Sequence, residues 1–95
     1  MSDWPFSSKP NLGVVTLQEI VLRKVPILHV CHDADDGAWQ FIGLDNPAVG
    51  ETTLTSLQKV VALDPSLTEL ADLPLGWHAW RRAANDPWTR APMMN

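Results

Sequence analysis

Cysteine is almost missing from this chain: Cys31 is the only one in 95 residues. No intrachain disulfide can form, so the fold is held by its core, as in a reducing compartment. Long apolar runs are missing too. No window approaches the ~18 consecutive apolar residues of a membrane-spanning helix. The first dozen residues lack the basic patch and apolar block of a secretory signal, so the expectation is a cytoplasmic protein without membrane contact. Positive charge is scarce, with 7 Lys and Arg against 11 Asp and Glu and a formal net charge of −4. Nucleic-acid backbones recruit Lys and Arg, so this balance argues against a nucleic-acid partner.

What is present suits one small domain. Hydrophobic residues make up 45% of the chain, an ordinary share for a globular protein with one modest core. Residues 1–12 read as an N-terminal arm, rich in Pro and Ser turn chemistry, with Trp4 and Phe6 able to tack it to the body. Residues 13–84 read as a single α+β domain, and residues 85–95 as an irregular tail anchored by Trp88.

Three segments share one pattern: Thr16–Val21, Ser56–Val61 and Ser66–Ala71. Each opens with a hydroxyl residue suited to capping, then places apolar residues one, four and five positions on, along one helix face. Thr16 with Glu19 and Ser66 with Glu69 fit the capping box, and Thr55 with Gln58 competes with Ser56 for the start of the second helix. Pro65 stops that helix, because the residue before proline avoids the α region. Strands are expected between and after. Residues 26–32 are nearly all apolar and residues 38–42 follow. Asp36-Gly37 between them is a hairpin signal, so residues 26–43 read as a hairpin. A third strand is expected over residues 75–82, with Trp77, Ala79 and Arg81 on one face and His78, Trp80 and Arg82 on the other. The expected fold is a small antiparallel sheet of about three strands with short helices packed on one face.

The stretch from His32 through Asp33, Ala34, Asp35, Asp36, Gly37, Ala38, Trp39 and Gln40 to Phe41 resembles a hairpin in a family of small bacterial domains of unknown function. Asp64-Pro65-Ser66-Leu67 and the turn Asp72-Leu73-Pro74-Leu75-Gly76 match its later segments. The resemblance covers residues 26–82. It implies an α+β fold, brings no catalytic residue, and suggests likeness to immunity proteins, some members of the family being so described.

The densest polar cluster is His29, Cys31, His32, Asp33, Asp35 and Asp36. His, Cys and carboxylate are zinc ligands, and His29, Cys31 and His32 are the candidates for a metal. Along one strand, however, His29, Cys31 and Asp33 span about 13 Å at ~3.3 Å per residue, too far to meet at one ion without bending. Calcium is excluded by spacing: counted from Asp33, the sixth position is Ala38 and the twelfth Leu44, where a calcium loop needs Gly and Glu. Cys31 with His29 or His32 could supply a thiol nucleophile and base, yet no Gly-rich loop adjoins it to hold an oxyanion. No catalytic residue is assigned and no cofactor is expected. Trp77, Trp80, Arg81, Arg82 and Trp88 are the residue types that anchor protein interfaces, and they are the interaction candidates. The leading expectation is a non-enzymatic module that binds a protein partner or a second copy of itself. The alternatives are a small metal-dependent or thiol enzyme built on His29, Cys31, His32 and Asp33, and an immunity protein that neutralises a toxin through the acidic turn Asp33, Asp35 and Asp36.

Overall fold

The computed structural model describes residues 4–43 and 51–93. The described chain runs through strand β1 (Gly13–Leu17), helix α1 (Gln18–Val21), strands β2 (His29–His32), β3 (Trp39–Ile42) and β4 (Thr52–Ser56), and helix α2 (Leu57–Leu63). A 3-10 turn (Pro65–Leu70), strand β5 (Trp77–Trp80) and strand β6 (Thr89–Pro92) complete it. The strands form one six-stranded sheet in the order β4-β1-β3-β2-β5-β6. The β1–β3 pair is parallel and the others are antiparallel.

This corrects the expected fold. The sheet is mixed and six-stranded, not a three-stranded antiparallel one, and the helical elements are short accessories. The clearest reason lies at Thr16. The periodicity marks it as the cap of a helix over 16–21, but Thr16 is a fully buried strand residue whose hydroxyl donates to the Phe41 carbonyl across the sheet at 2.7 Å. Val14, Val15 and Thr16 are β-branched and stiff at χ1, which suits a pleated surface better than a helix. Only Gln18–Val21 turn helical, and the side chain of the N-cap residue, Leu17, makes no cap bond. The third expected helix winds as a 3-10 turn, with the Asp64 carboxylate accepting from the Ser66 N–H at 3.1 Å and the Ser66 hydroxyl at 2.7 Å. The expected irregular tail contains β6, which pairs with β5 in register Ala79 to Arg90.

Of the hairpin expected over residues 26–43, the strands are shorter, His29–His32 and Trp39–Ile42, and β2 pairs with β3 in register Val30 to Phe41. Gly37 takes φ 72° in its turn, a conformation that glycine adopts without a Cβ clash. Gly76 has φ 81° just before β5, and a Cβ there would sit 3.4 Å from the Ala34 side chain. Helix α2 is capped by Ser56, whose hydroxyl accepts from the Lys59 N–H at 3.2 Å, which settles the competition with Thr55.

Register and alternation sort the strand residues by face. Val14, Phe41, Val30 and Ala79 share one face, and all are buried. Leu57 and Val60 from α2, Leu67 and Leu70 from the 3-10 turn, and Leu73 join them in the core. The arm belongs to the same core: Phe6 is 5% exposed and meets Trp39 edge-on at 5.5 Å. A row on the opposite face crosses all six strands: Leu54, Val15, Gln40, Cys31, His78 and Ala91. None of these six is buried, and none is an Asp, Glu, Lys or Arg.

Candidate functional site

The half-open face carries the chemistry. Strand β2 runs beside β5, with Cys31 opposite His78 and His29 opposite Trp80. The two imidazoles meet on the diagonal: His29 Nε2 lies 2.9 Å from His78 Nδ1, with ring centroids 5.2 Å apart at 62°. The Cys31 Sγ lies 3.6 Å from the same His29 Nε2. The Trp80 ring flanks His78 at 4.9 Å. Burial, with His78 as the second cause, holds the His29 imidazole below its usual pKa, so it is neutral at pH 7. Burial and then the Asp33 charge push the Cys31 thiol up.

This arrangement does not suit thiol catalysis. An activated nucleophile needs a base that takes its proton on one ring nitrogen and is oriented through the other. Here the thiol and the second imidazole converge on one nitrogen of His29. A thiol with a raised pKa also holds little thiolate at neutral pH. Among the described residues no group of three or more His, Cys, Asp or Glu side chains could hold a metal ion.

The other sequence candidates are spread out. His32 lies on the core face, stacked on Trp39 at 3.8 Å, and its Nδ1–H donates to the Leu73 carbonyl at 2.8 Å. It therefore stands apart from His29 and Cys31. The Asp33 carboxylate accepts from the Gln40 amide at 2.9 Å, and Asp36 accepts from the Ala38 N–H at 3.0 Å, so both hold the hairpin turn. Asp35 and Asp36 are exposed.

The Trp and Arg candidates also separate. Arg81 is 3% exposed. Its guanidinium donates to the Ile27 carbonyl through Nε and Nη2 (3.1 and 2.9 Å), to the Ala84 carbonyl (2.7 Å) and to the Ser66 hydroxyl (3.0 Å), and it pairs with Asp64. Trp88 covers it at 4.1 Å and donates its indole N–H to Ser66 at 3.3 Å. These two residues lock β5 to the 3-10 turn. Trp77 packs against the core and Arg82 is exposed, leaving Trp80 as the tryptophan of the half-open face. A cleft of about 370 Å³ lies elsewhere, walled by Arg23, Lys24, Val25, Pro26 and Leu63.

Two features escaped the sequence reading. One is His78, brought to His29 across 49 residues of chain. Alternation had placed it on one face with Trp80, but nothing local gives the register of β5 against β2. The other is the β4 edge. Gln18 N–H bonds to the Glu51 carbonyl and Leu57 N–H to the Leu12 carbonyl, both at 2.8 Å. Antiparallel alternation between these bonds turns the backbone of Thr53 and Thr55 toward β1 and that of Thr52, Leu54 and Ser56 away from it, on the side where no other described strand pairs. The strand has no charge and no proline, and Leu54 is 75% exposed. The opposite edge, β6, carries Arg90 and Pro92, residues that blunt an edge against pairing. Comparison with protein-family models, with curated proteins and with solved structures finds no match for this chain.

Proposed function

We propose that this chain is a non-enzymatic protein-interaction module that pairs with a second copy of itself along the β4 edge. The observation that carries the reading is the contrast between the two sheet edges. One is blunted by Arg90 and Pro92, and the other is an uncharged, Thr-rich strand with no further strand paired to it among the described residues and an exposed Leu at its centre. An unprotected edge is a template for strand addition.

The strand is also self-complementary. Leu54 is the middle residue of Thr52–Ser56, so a two-fold axis through it places Leu54 against Leu54 of the second copy and Thr52 against Ser56. The three outward-facing residues on each copy allow up to ~six hydrogen bonds, worth ~0.5–1.5 kcal/mol each net of water. The leucine pair adds ~0.2–1 kcal/mol. Association costs at least ~4 kcal/mol in lost translational and rotational freedom. The balance gives a weak, concentration-dependent pair of folded monomers, not an obligate dimer. The test is sedimentation velocity from low micromolar to near-millimolar protein. The average mass is expected to rise toward that of a dimer, and Leu54→Lys, which sets two like charges against each other, is expected to abolish the rise. Monomer mass at every concentration, or a rise that Leu54→Lys leaves intact, would overturn the reading.

A further inference from the structure

We propose that the cleft beside α1 and the end of α2 binds a small amphipathic carboxylate, its charged head on Arg23 and Lys24 and its aliphatic body on Ile20, Ile27 and Leu63. The cleft holds about 370 Å³, within the ~300–1,000 Å³ of small-ligand sites, and all of these residues line it. Its floor is apolar and already formed, because Ile20 and Ile27 are core residues, each 2% exposed. Its unbalanced charge is positive. Asp64 also lines the cleft, but the buried Arg81 guanidinium pairs with that carboxylate. Arg23 and Lys24 are exposed, and neither side chain makes a hydrogen bond or ion pair among the described residues.

The backbone supplies an independent reason. Arg23 holds φ 63°, a conformation that glycine would adopt without strain. Strained positions concentrate at ligand clamps, where the side chain serves a purpose that the backbone does not. Here the strained residue brings a guanidinium to the cleft, a planar fork that matches a carboxylate through two parallel hydrogen bonds. Lys24, the next residue, adds a second positive charge. The apolar floor then decides which anion fits. A small inorganic anion gains only from exposed charges, which salt screens. An aliphatic chain also takes the surface of Ile20, Ile27 and Leu63 away from water, so head and body are both served. The cleft shares no residue with β4, so this site goes beyond self-pairing and stands without it.

The experiment is an amide NMR titration of the full chain with hexanoate, with hexanol and acetate as the two half-ligands. Expected are saturable shifts confined to residues around the cleft, with hexanol and acetate each bound at least ~tenfold more weakly. Arg23→Gly relieves the backbone and keeps the fold, yet it is expected to bind hexanoate at least ~tenfold more weakly. Lost affinity in a variant that is more stable separates a ligand contact from structural damage. Leu54→Lys, which removes self-association, is expected to bind hexanoate as the wild type does. No saturable shift in the wild-type chain, hexanol or acetate bound as tightly as hexanoate, unchanged affinity in the folded Arg23→Gly variant, or loss of binding in Leu54→Lys would overturn the proposal.

Discussion

Replacing Arg81 by methionine should be the most damaging single change outside the apolar core. Methionine keeps the apolar stem of the side chain and deletes the guanidinium. The Asp64 carboxylate then loses its cation, the Ile27 carbonyl loses two donors, and the Ala84 carbonyl and Ser66 hydroxyl lose one each. Removing one partner of a buried ion pair costs ~3–5 kcal/mol. The Asp64 side chain is 20% exposed, so water takes over part of its solvation and the lower end applies. The lost stacking of Trp88 adds ~0.5–2 kcal/mol. A loss of ~3.5–5 kcal/mol is a large share of the ~5–15 kcal/mol that holds a typical domain. At ~4–8 °C per kcal/mol for a chain of this size, the thermal midpoint should fall by at least ~14 °C. Urea unfolding followed by tryptophan fluorescence measures the first quantity, and thermal unfolding followed by circular dichroism measures the second. The double variant Arg81→Met with Asp64→Asn should cost less than the sum of the single changes, because the second removes the charge that the first strands. A loss under ~1 kcal/mol for Arg81→Met, or strict additivity, would refute this account of how β5 is locked to the 3-10 turn.

Two further outcomes follow from backbone and charge geometry. Arg23 stands just past α1 with φ 63°, and the bonds Arg23 N–H to Ile20 and Lys24 N–H to Glu19 close the helix in the manner that favours glycine. Arg23→Gly should raise stability by ~0.5–1 kcal/mol, read from the urea midpoint, and an unchanged or lower midpoint would contradict the strain. The Arg90 guanidinium hydrogen-bonds the exposed Asp72 and, by its charge as well, holds that carboxyl below the usual range. The folded state therefore gains from this pair above the unfolded carboxyl's pKa and loses the gain as pH falls through the depressed folded value. Arg90→Gln should move the Asp72 titration midpoint upward in a carboxyl NMR titration, and an unmoved midpoint would show that the pair does not form in solution.

Local chemistry was readable in the sequence where one short stretch decides the outcome. Asp36-Gly37 marks the β2–β3 turn because Gly37 alone there adopts positive φ, and Ser56 marks the start of α2 because its hydroxyl caps it. The architecture was not readable where two patterns coincide. Over residues 13–21 the same apolar spacing serves a strand and then a single helical turn, and burial of Thr16 against β3 decides for the strand. β6 was hidden by Arg90 and Pro92, which disfavour a central strand and suit an edge. The candidate site divides in the same way. His29 and Cys31 share a strand face by alternation, a local fact. His78 joins them only through the pairing of β5 with β2, and the burial of Arg81 depends on Asp64 and Ile27, distant in sequence.

Amide hydrogen exchange along β4, followed residue by residue at low and high protein concentration, tests the proposed pairing most directly. If two copies join edge to edge, the outward amides of Thr52, Leu54 and Ser56 slow markedly as concentration rises, while Thr53 and Thr55, already bonded to β1, change little. Fast, concentration-independent exchange at Thr52, Leu54 and Ser56 would contradict the account.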